Sequence, residues 1–293
     1  MKKHYNPLWV TIDSNEPNDS LEKFLLKVKP FGIILFARHL KNKSQVKSLT
    51  SFIKDVDKNI LVAIDQEGGR VNRLSALNYK FLGASDSNEN PEVVRKISSE
   101  MAEILKELGF DVNFAPVVDL GNVEVGTGLE GRIYSSEKEK VKECALAFLE
   151  GLKEFNLKGC LKHFPGLGGS LVDSHKELPL ILGTKKERAP HLYPYKFLKA
   201  DFVMVAHARY QCFSSNLPSS INKESYSLLK SFNCCDKIVT DDISMGALKN
   251  FGTLNELVIK SLICGADIAM VVCKENETLV IAEELNKNGI EKR

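Results

Sequence analysis

The 293-residue sequence predicts an α/β protein closed into a (β/α)8 TIM-type barrel. Three observations carry that prediction. Short apolar runs rich in Val and Ile recur along the chain. Amphipathic stretches with apolar residues at helical spacing separate them. Ionisable side chains stand at or near the ends of most runs.

In chain order the runs are Leu8 to Asp13, Gly32 to Ala37, Ile60 to Asp65, Val112 to Asp119, Gly159 to Phe164, Phe202 to Ala208, Lys237 to Asp241 and Asp267 to Val272. They read as buried parallel strands, because a strand covered on both faces loses the polar-apolar alternation of a half-exposed one. Among the intervening stretches, Val46 to Val56, Pro91 to Leu108 and Ser136 to Phe155 read as helices. Strand then helix, repeated, predicts a closed barrel whose chemistry collects in the cup formed by the strand-to-helix loops. Asp13, Asp65, Asp119, His163, His207 and Asp241 all fall at that end. The plainer reading makes them solvated strand-end caps. An unpaired buried charge is expensive, however, so six such ends around one cup favour a site. A doubly wound open sheet is the rival architecture, but no Gly-x-Gly-x-x-Gly follows the first strand. One barrel domain is expected over residues 1–293.

Composition narrows the function. With 43% hydrophobic residues, 27% charged residues and a formal net charge of +2, the chain is ordinary for a soluble globular protein. Lys and Arg are dispersed, so no nucleic-acid partner is expected. The N-terminus lacks the apolar core of a signal peptide, and no apolar run reaches the roughly 20 residues that cross a bilayer. A cytoplasmic monomer that does not engage membranes is therefore expected. The seven cysteines are an odd number, and Cys160, Cys264 and Cys273 sit inside apolar runs, as thiols do in a reducing compartment. Cys234-Cys235 lacks the spacing of a metal or redox pair, and no metal is expected.

Three segments carry candidate chemistry: Ile64-Asp65-Gln66-Glu67-Gly68-Gly69-Arg70-Val71-Asn72-Arg73; Lys162-His163-Phe164-Pro165-Gly166 leading to Asp173-Ser174-His175; and Val239-Thr240-Asp241-Asp242-Ile243-Ser244-Met245. They resemble the signature stretches of glycoside hydrolase family 3. Asp173-Ser174-His175 is characteristic of its β-N-acetylhexosaminidase, or β-N-acetylglucosaminidase, branch. The ordered match runs from Gly32-Ile33-Ile34-Leu35-Phe36 through Asn113-Phe114-Ala115-Pro116-Val117-Val118-Asp119 to the last strand.

The resemblance implies that Asp241 is the nucleophile, forming a covalent glycosyl-enzyme. An ionised carboxylate suits that role because it stabilises an oxocarbenium-like transition state and can bond to it. Asp242 is its rival. An extended strand would turn that side chain to the opposite face, and a helix N-cap is the structural alternative. His175 is implied as the general acid/base, and imidazole, with an ordinary pKa of about 6.5, can give and take a proton near neutrality. Asp173 is implied as its orienting partner. On spacing alone Asp-x-His is common in solvated loops, and its place downstream of Lys162-His163 is what gives it weight.

Asp65, Arg73, Arg132, Lys162 and His163 match family positions that bind the terminal sugar. Charged donors and acceptors of these types can bracket vicinal hydroxyls. The plainer reading pairs Arg70 or Arg73 with Glu67 or a neighbouring helix. Asp119 and His207 are supporting candidates. Gly166, Gly168 and Gly169 suggest that the loop from Pro165 to Pro179 moves. The chain departs from the family at Leu167, where histidine is usual, at Gly169, where aspartate is usual, and mildly at Tyr134, where phenylalanine is commoner.

The resemblance thus implies exo-hydrolysis of terminal β-linked N-acetylglucosamine from a small glycan such as a muropeptide or chitooligosaccharide, with net retention and no cofactor. The alternatives are phosphorolysis, a β-glucosidase-type activity, and a catalytically silent sugar-binding barrel. A phosphate-handling barrel would want a Gly-rich loop after the seventh or eighth strand, where Asp241-Asp242 stands instead.

Overall fold

The computed structural model describes residues 5–121, 127–170, 172 and 177–290. Eight parallel strands close a barrel in which neighbours in sequence are neighbours in space. They are β1 (Asn6–Val10), β2 (Pro30–Leu35), β3 (Leu61–Ile64), β4 (Val112–Asn113), β5 (Lys158–Phe164), β6 (Ala200–Val205), β7 (Cys235–Asp242) and β8 (Ile268–Val271). The last strand returns to the first, with Leu8 opposite Ala269 and Val10 opposite Val271. All eight expected runs are present.

Alternation along each strand sorts side chains between two cores. Trp9, Ile34, Ala63, Val112, Cys160, Phe202, Met204, Val239, Ile268 and Met270 point into the barrel. Their neighbours Leu8, Val10, Ile33, Leu35, Val62, Ile64, Leu161, Val203 and Ile238 point outward and are covered by helices. Trp9 fills the centre of the barrel, its ring 5.0 Å from Phe114 and 5.4 Å from Phe202, both near edge-on. Gly32 permits this: a Cβ there would lie 2.7 Å from the indole.

The outer layer contains α1 (Asp19–Val28), α2 (Lys43–Val56), α3 (Pro91–Glu107), α4 (Lys138–Glu154), the short α5 (Lys185–Arg188) and α6 (Tyr193–Phe197), then α7 (Lys223–Phe232), α8 (Leu254–Cys264) and α9 (Glu275–Lys287). Asparagine starts four of them: Asn18, Asn42, Asn90 and Asn222 each accept a first-turn backbone N–H. Such a cap stabilises a helix by about 1 kcal/mol. Asn42 explains why α2 begins three residues before the Val46 at which helical periodicity becomes visible. In α3 the buried residues Val94, Ser98, Met101, Ala102 and Leu105 form one stripe. Among the described residues no helix is long and apolar enough to cross a membrane.

One strand differs from expectation. The run Val112 to Asp119 forms regular ladder only over Val112–Asn113, and rejoins β5 further on through a bridge between Val117 and Lys162. Pro116 has no N–H to donate, so the ladder is interrupted there.

Candidate active site

The sequence builds the mouth of the barrel from the ends of β3, β5 and β7. Beyond β3 the chain forms a small hairpin, Gln66–Gly68 against Val71–Asn72, leading into a 3-10 turn over Arg73–Leu77. Gln66 fixes it: its N–H donates to Asn113 Oδ1 at 2.9 Å and its Oε1 accepts the Leu74 N–H at 3.0 Å. Asp65, Glu67 and Arg73 are thereby held at one rim. Lys162 and His163 come from β5, Arg132 from the segment before α4, and Asp241 from the end of β7. All of them border one cavity of about 500 Å³, floored by Ile34, Met204 and Met270.

Glu67 organises this cavity. Its Oε2 accepts Arg132 Nε at 2.7 Å and its Oε1 accepts Arg132 Nη2 at 2.8 Å, a two-pronged pair. Lys162 Nζ lies 2.6 Å from Glu67 Oε1 and 2.8 Å from Asp65 Oδ1. Burial alone would raise the Glu67 pKa, but the charges of Arg132 and Lys162 outweigh it and hold the carboxyl well below the usual range. Burial would likewise lower Lys162, and Asp65 and Glu67 reverse that, keeping the ammonium protonated. Glu67 therefore stays a carboxylate, compensated by the charges of Arg132 and Lys162. Burying these charges would otherwise cost several kcal/mol per ion.

His163 has a defined tautomer. Its Nδ1 lies 2.7 Å from Asp119 Oδ2, and its Nε2 faces Arg132 Nη2 at 3.3 Å. Guanidinium only donates, so Nε2 accepts and the ring proton sits on Nδ1, facing Asp119. His163 is thus a wall of the cavity that turns its Nε2 towards Arg132. Asp119 is fully buried. Burial would raise its pKa, but His163 and the Leu167 N–H, 2.7 Å from Oδ1, hold it low.

At the end of β7 the two aspartates differ. Both border the cavity, because the ladder to β8 shifts register between Val239 and Asp242, so strand alternation does not separate them as expected. Hydrogen bonding does. Asp242 Oδ1 accepts Ser244 N–H at 2.9 Å, Ser244 Oγ at 2.7 Å and Val272 N–H at 2.9 Å. It holds a turn, though not the start of a regular helix. Burial first, and then the charge of Asp241, push its pKa up. Asp241 Oδ1 accepts the Asp242 N–H at 2.8 Å. His207, fully buried, spans Ser220 Oγ at 2.7 Å and the Asp242 carbonyl at 2.8 Å, and so fixes this strand end from behind.

One expectation needs correction, and one plainer reading does not hold. Asp13 does not face the cavity: β1 ends at Val10, and the backbone N–H groups of Asp13 and of Glu275, at the start of α9, each donate to the other residue's carboxylate. It borders an adjacent, larger cavity of about 760 Å³ that contains none of the other predicted residues. Glu67 pairs with neither Arg70 nor Arg73. Arg70 turns to the Gly128 carbonyl and to Glu130 at 3.6 Å, and Arg73 lies 5.9 Å from the Phe36 ring. Glu67 itself was missed as an organising residue. Its spacing from Asp65, two residues along an extended segment, was the available signal. His175 and Asp173 lie outside the described residues. The described start of their loop places Leu167 in an apolar cluster with Leu129, Ile133, Ile181 and Tyr210, which accommodates a leucine where the family usually has histidine.

A parallel eight-stranded barrel with its ionisable residues gathered at the C-terminal strand ends defines the class: a barrel with the layout of a (β/α)8 enzyme. Residues 6–293 match the model of the glycosyl hydrolase family 3 N-terminal domain, and the chain belongs to that family. A β-hexosaminidase of Haemophilus influenzae is 32% identical over 262 residues, covering 85% of this chain and 74% of that protein. The β-hexosaminidase of Actinobacillus pleuropneumoniae serotype 3 is 32% identical over 263 residues, covering 85% and 75%. Among solved structures, native NagZ of Neisseria gonorrhoeae superposes with a TM-score of 0.84 at 26% identity, over 97% of this chain and 85% of that one. The same protein has been solved with N-trifluoroacetyl-D-glucosamine. A family 3 β-N-acetylglucosaminidase of Paenibacillus shares the fold with a TM-score of 0.87 at 24% identity. This chain spans 56% of its length.

Proposed function

We propose that this protein is a retaining exo-β-N-acetylglucosaminidase that removes terminal N-acetylglucosamine from small glycans, peptidoglycan fragments foremost, as a single-domain cytoplasmic monomer. One observation carries the reading: the Asp241 carboxylate borders a cavity whose other walls are the compensated cluster Asp65, Lys162, Glu67, Arg132 and His163. A volume of about 500 Å³ suits one pyranose ring with its substituent. The β-hexosaminidase relatives and the sugar-bound neisserial structure support the choice of sugar.

In this reading Asp65, Arg73, Arg132, Lys162 and His163 bind the ring hydroxyls. An oxygen of Asp241 attacks C1 while the bond from C1 to the leaving oxygen breaks and His175, oriented by Asp173, delivers a proton to that oxygen. Water then attacks C1 of the glycosyl-enzyme, His175 takes its proton, and the Asp241 ester is released. Side chains and water suffice.

Asp241→Ala is expected to abolish p-nitrophenol release from the aryl N-acetyl-β-glucosaminide, a fall of about a thousandfold or more for loss of a covalent nucleophile. Turnover like that of the parent would remove Asp241 from the mechanism. Product analysis with and without phosphate separates hydrolysis from phosphorolysis.

A further inference from the structure

Arg188, at the end of α5, is 8% exposed, and no carboxylate among the described residues pairs with it. Its guanidinium instead clamps a turn: Nη2 donates to the Gly166 carbonyl at 2.8 Å and Nη1 to the Gly168 carbonyl at 2.9 Å. The Tyr210 hydroxyl donates to the same Gly166 carbonyl at 3.0 Å, and the Arg188 guanidinium lies 5.9 Å from that tyrosine's ring centroid. The turn demands glycine. Gly166 has φ +112°, and a Cβ on Gly168 would fall 1.6 Å from the Leu120 carbonyl oxygen.

The Gly166 carbonyl and the Leu167 N–H belong to one peptide group. In a trans peptide they point in opposite directions within one plane, so fixing the oxygen fixes the direction of the N–H. That N–H donates to Asp119 Oδ1 at 2.7 Å, and Asp119 Oδ2 faces His163 Nδ1 at 2.7 Å. A cation on the oxygen side also polarises the peptide and strengthens its N–H as a donor. We propose that Arg188 is a positioning residue for the sugar cavity, acting through the 166–167 peptide and Asp119 to set the ring and tautomer of His163. The inference rests on the reading of that cavity as the sugar site. Arg188 itself touches no cavity-lining side chain of that site through a hydrogen bond.

The test is a double-mutant cycle combining Arg188→Ala with Asp119→Asn, read on the aryl N-acetyl-β-glucosaminide. Acting through Asp119, Arg188→Ala raises KM and lowers kcat/KM about tenfold in the parent, but less than about twofold once Asp119 is changed. Equal factors in both backgrounds overturn the proposal, as does parent-like kcat/KM in Arg188→Ala. Should Arg188→Ala fail to fold, Arg188→Lys and Tyr210→Phe take its place, each expected to lower kcat/KM about threefold with the same coupling to Asp119. A readout independent of turnover is the His163 Nδ1–H proton resonance, which moves upfield in Arg188→Ala or Arg188→Lys. An unmoved resonance overturns the proposal. A parent protein with no glycosidase activity sinks the functional reading instead and leaves the resonance to decide the role of Arg188.

Discussion

Arg132 and Arg188 are 9% and 8% exposed, but the two regions around them handle a buried guanidinium differently. Arg132 meets Glu67 through two hydrogen bonds, and its pKa is raised because that partner outweighs the effect of burial. Arg188 meets backbone carbonyls, and burial lowers its pKa more than Tyr210, Cys212 and Asp119 raise it. The first arrangement balances charge with charge, so each member depends on the other being ionised. The second balances charge with peptide dipoles, and what it secures is the direction of a backbone turn. One region builds the cavity wall. The other sets the angle at which part of that wall is held.

The largest effect expected from this contrast is on Arg132. Arg132→Met leaves Glu67 buried with Lys162 alone and should destabilise the fold by about 3–5 kcal/mol in urea unfolding. Adding Glu67→Gln should restore at least part of that, since the uncompensated carboxylate is gone. Arg188→Met should cost less, about 1–3 kcal/mol, because carbonyls rather than ions lose a partner and Tyr210 still serves Gly166. Similar losses for the two arginines would erase the distinction.

The smallest effect concerns His191, which packs beside the glycine turn. Burial, then the neighbouring Arg188 charge, lowers its pKa from 6.5 to about 4. A histidine whose folded pKa is depressed stabilises the fold fully above its unfolded value, and that contribution fades as pH falls from about 6.5 towards 4. Acidifying from pH 7 to 5 should therefore lower the Tm of His191→Leu less than that of the parent, by about 2 °C. Equal shifts would mean the ring gains no protection from protonation there.

Much of this architecture is legible in the sequence because it rests on local pattern. Short apolar runs, most of them rich in Val and Ile, give the barrel strands. The failures have local causes too. Pro116 cuts short a run that hydropathy alone extends to Asp119, and Asp13 lies just far enough past β1 to meet α9 rather than the cup. The site residues Asp65, Arg73, Arg132, Lys162, His163 and Asp241 are legible as members of motifs, and they converge on one cavity. Partner choice was not legible. Which arginine Glu67 takes depends on how a hairpin and a segment 65 residues away meet across the mouth. Arg188 gives no signal at all, since a lone arginine ending a four-residue helix has no motif.

The indole packed between Phe114 and Phe202 is the only tryptophan of the chain. It is fully buried on β1 and borders neither mouth cavity. Excited selectively, its emission therefore reports the packing of the barrel interior and gives unfolding measurements an optical signal that needs no added label.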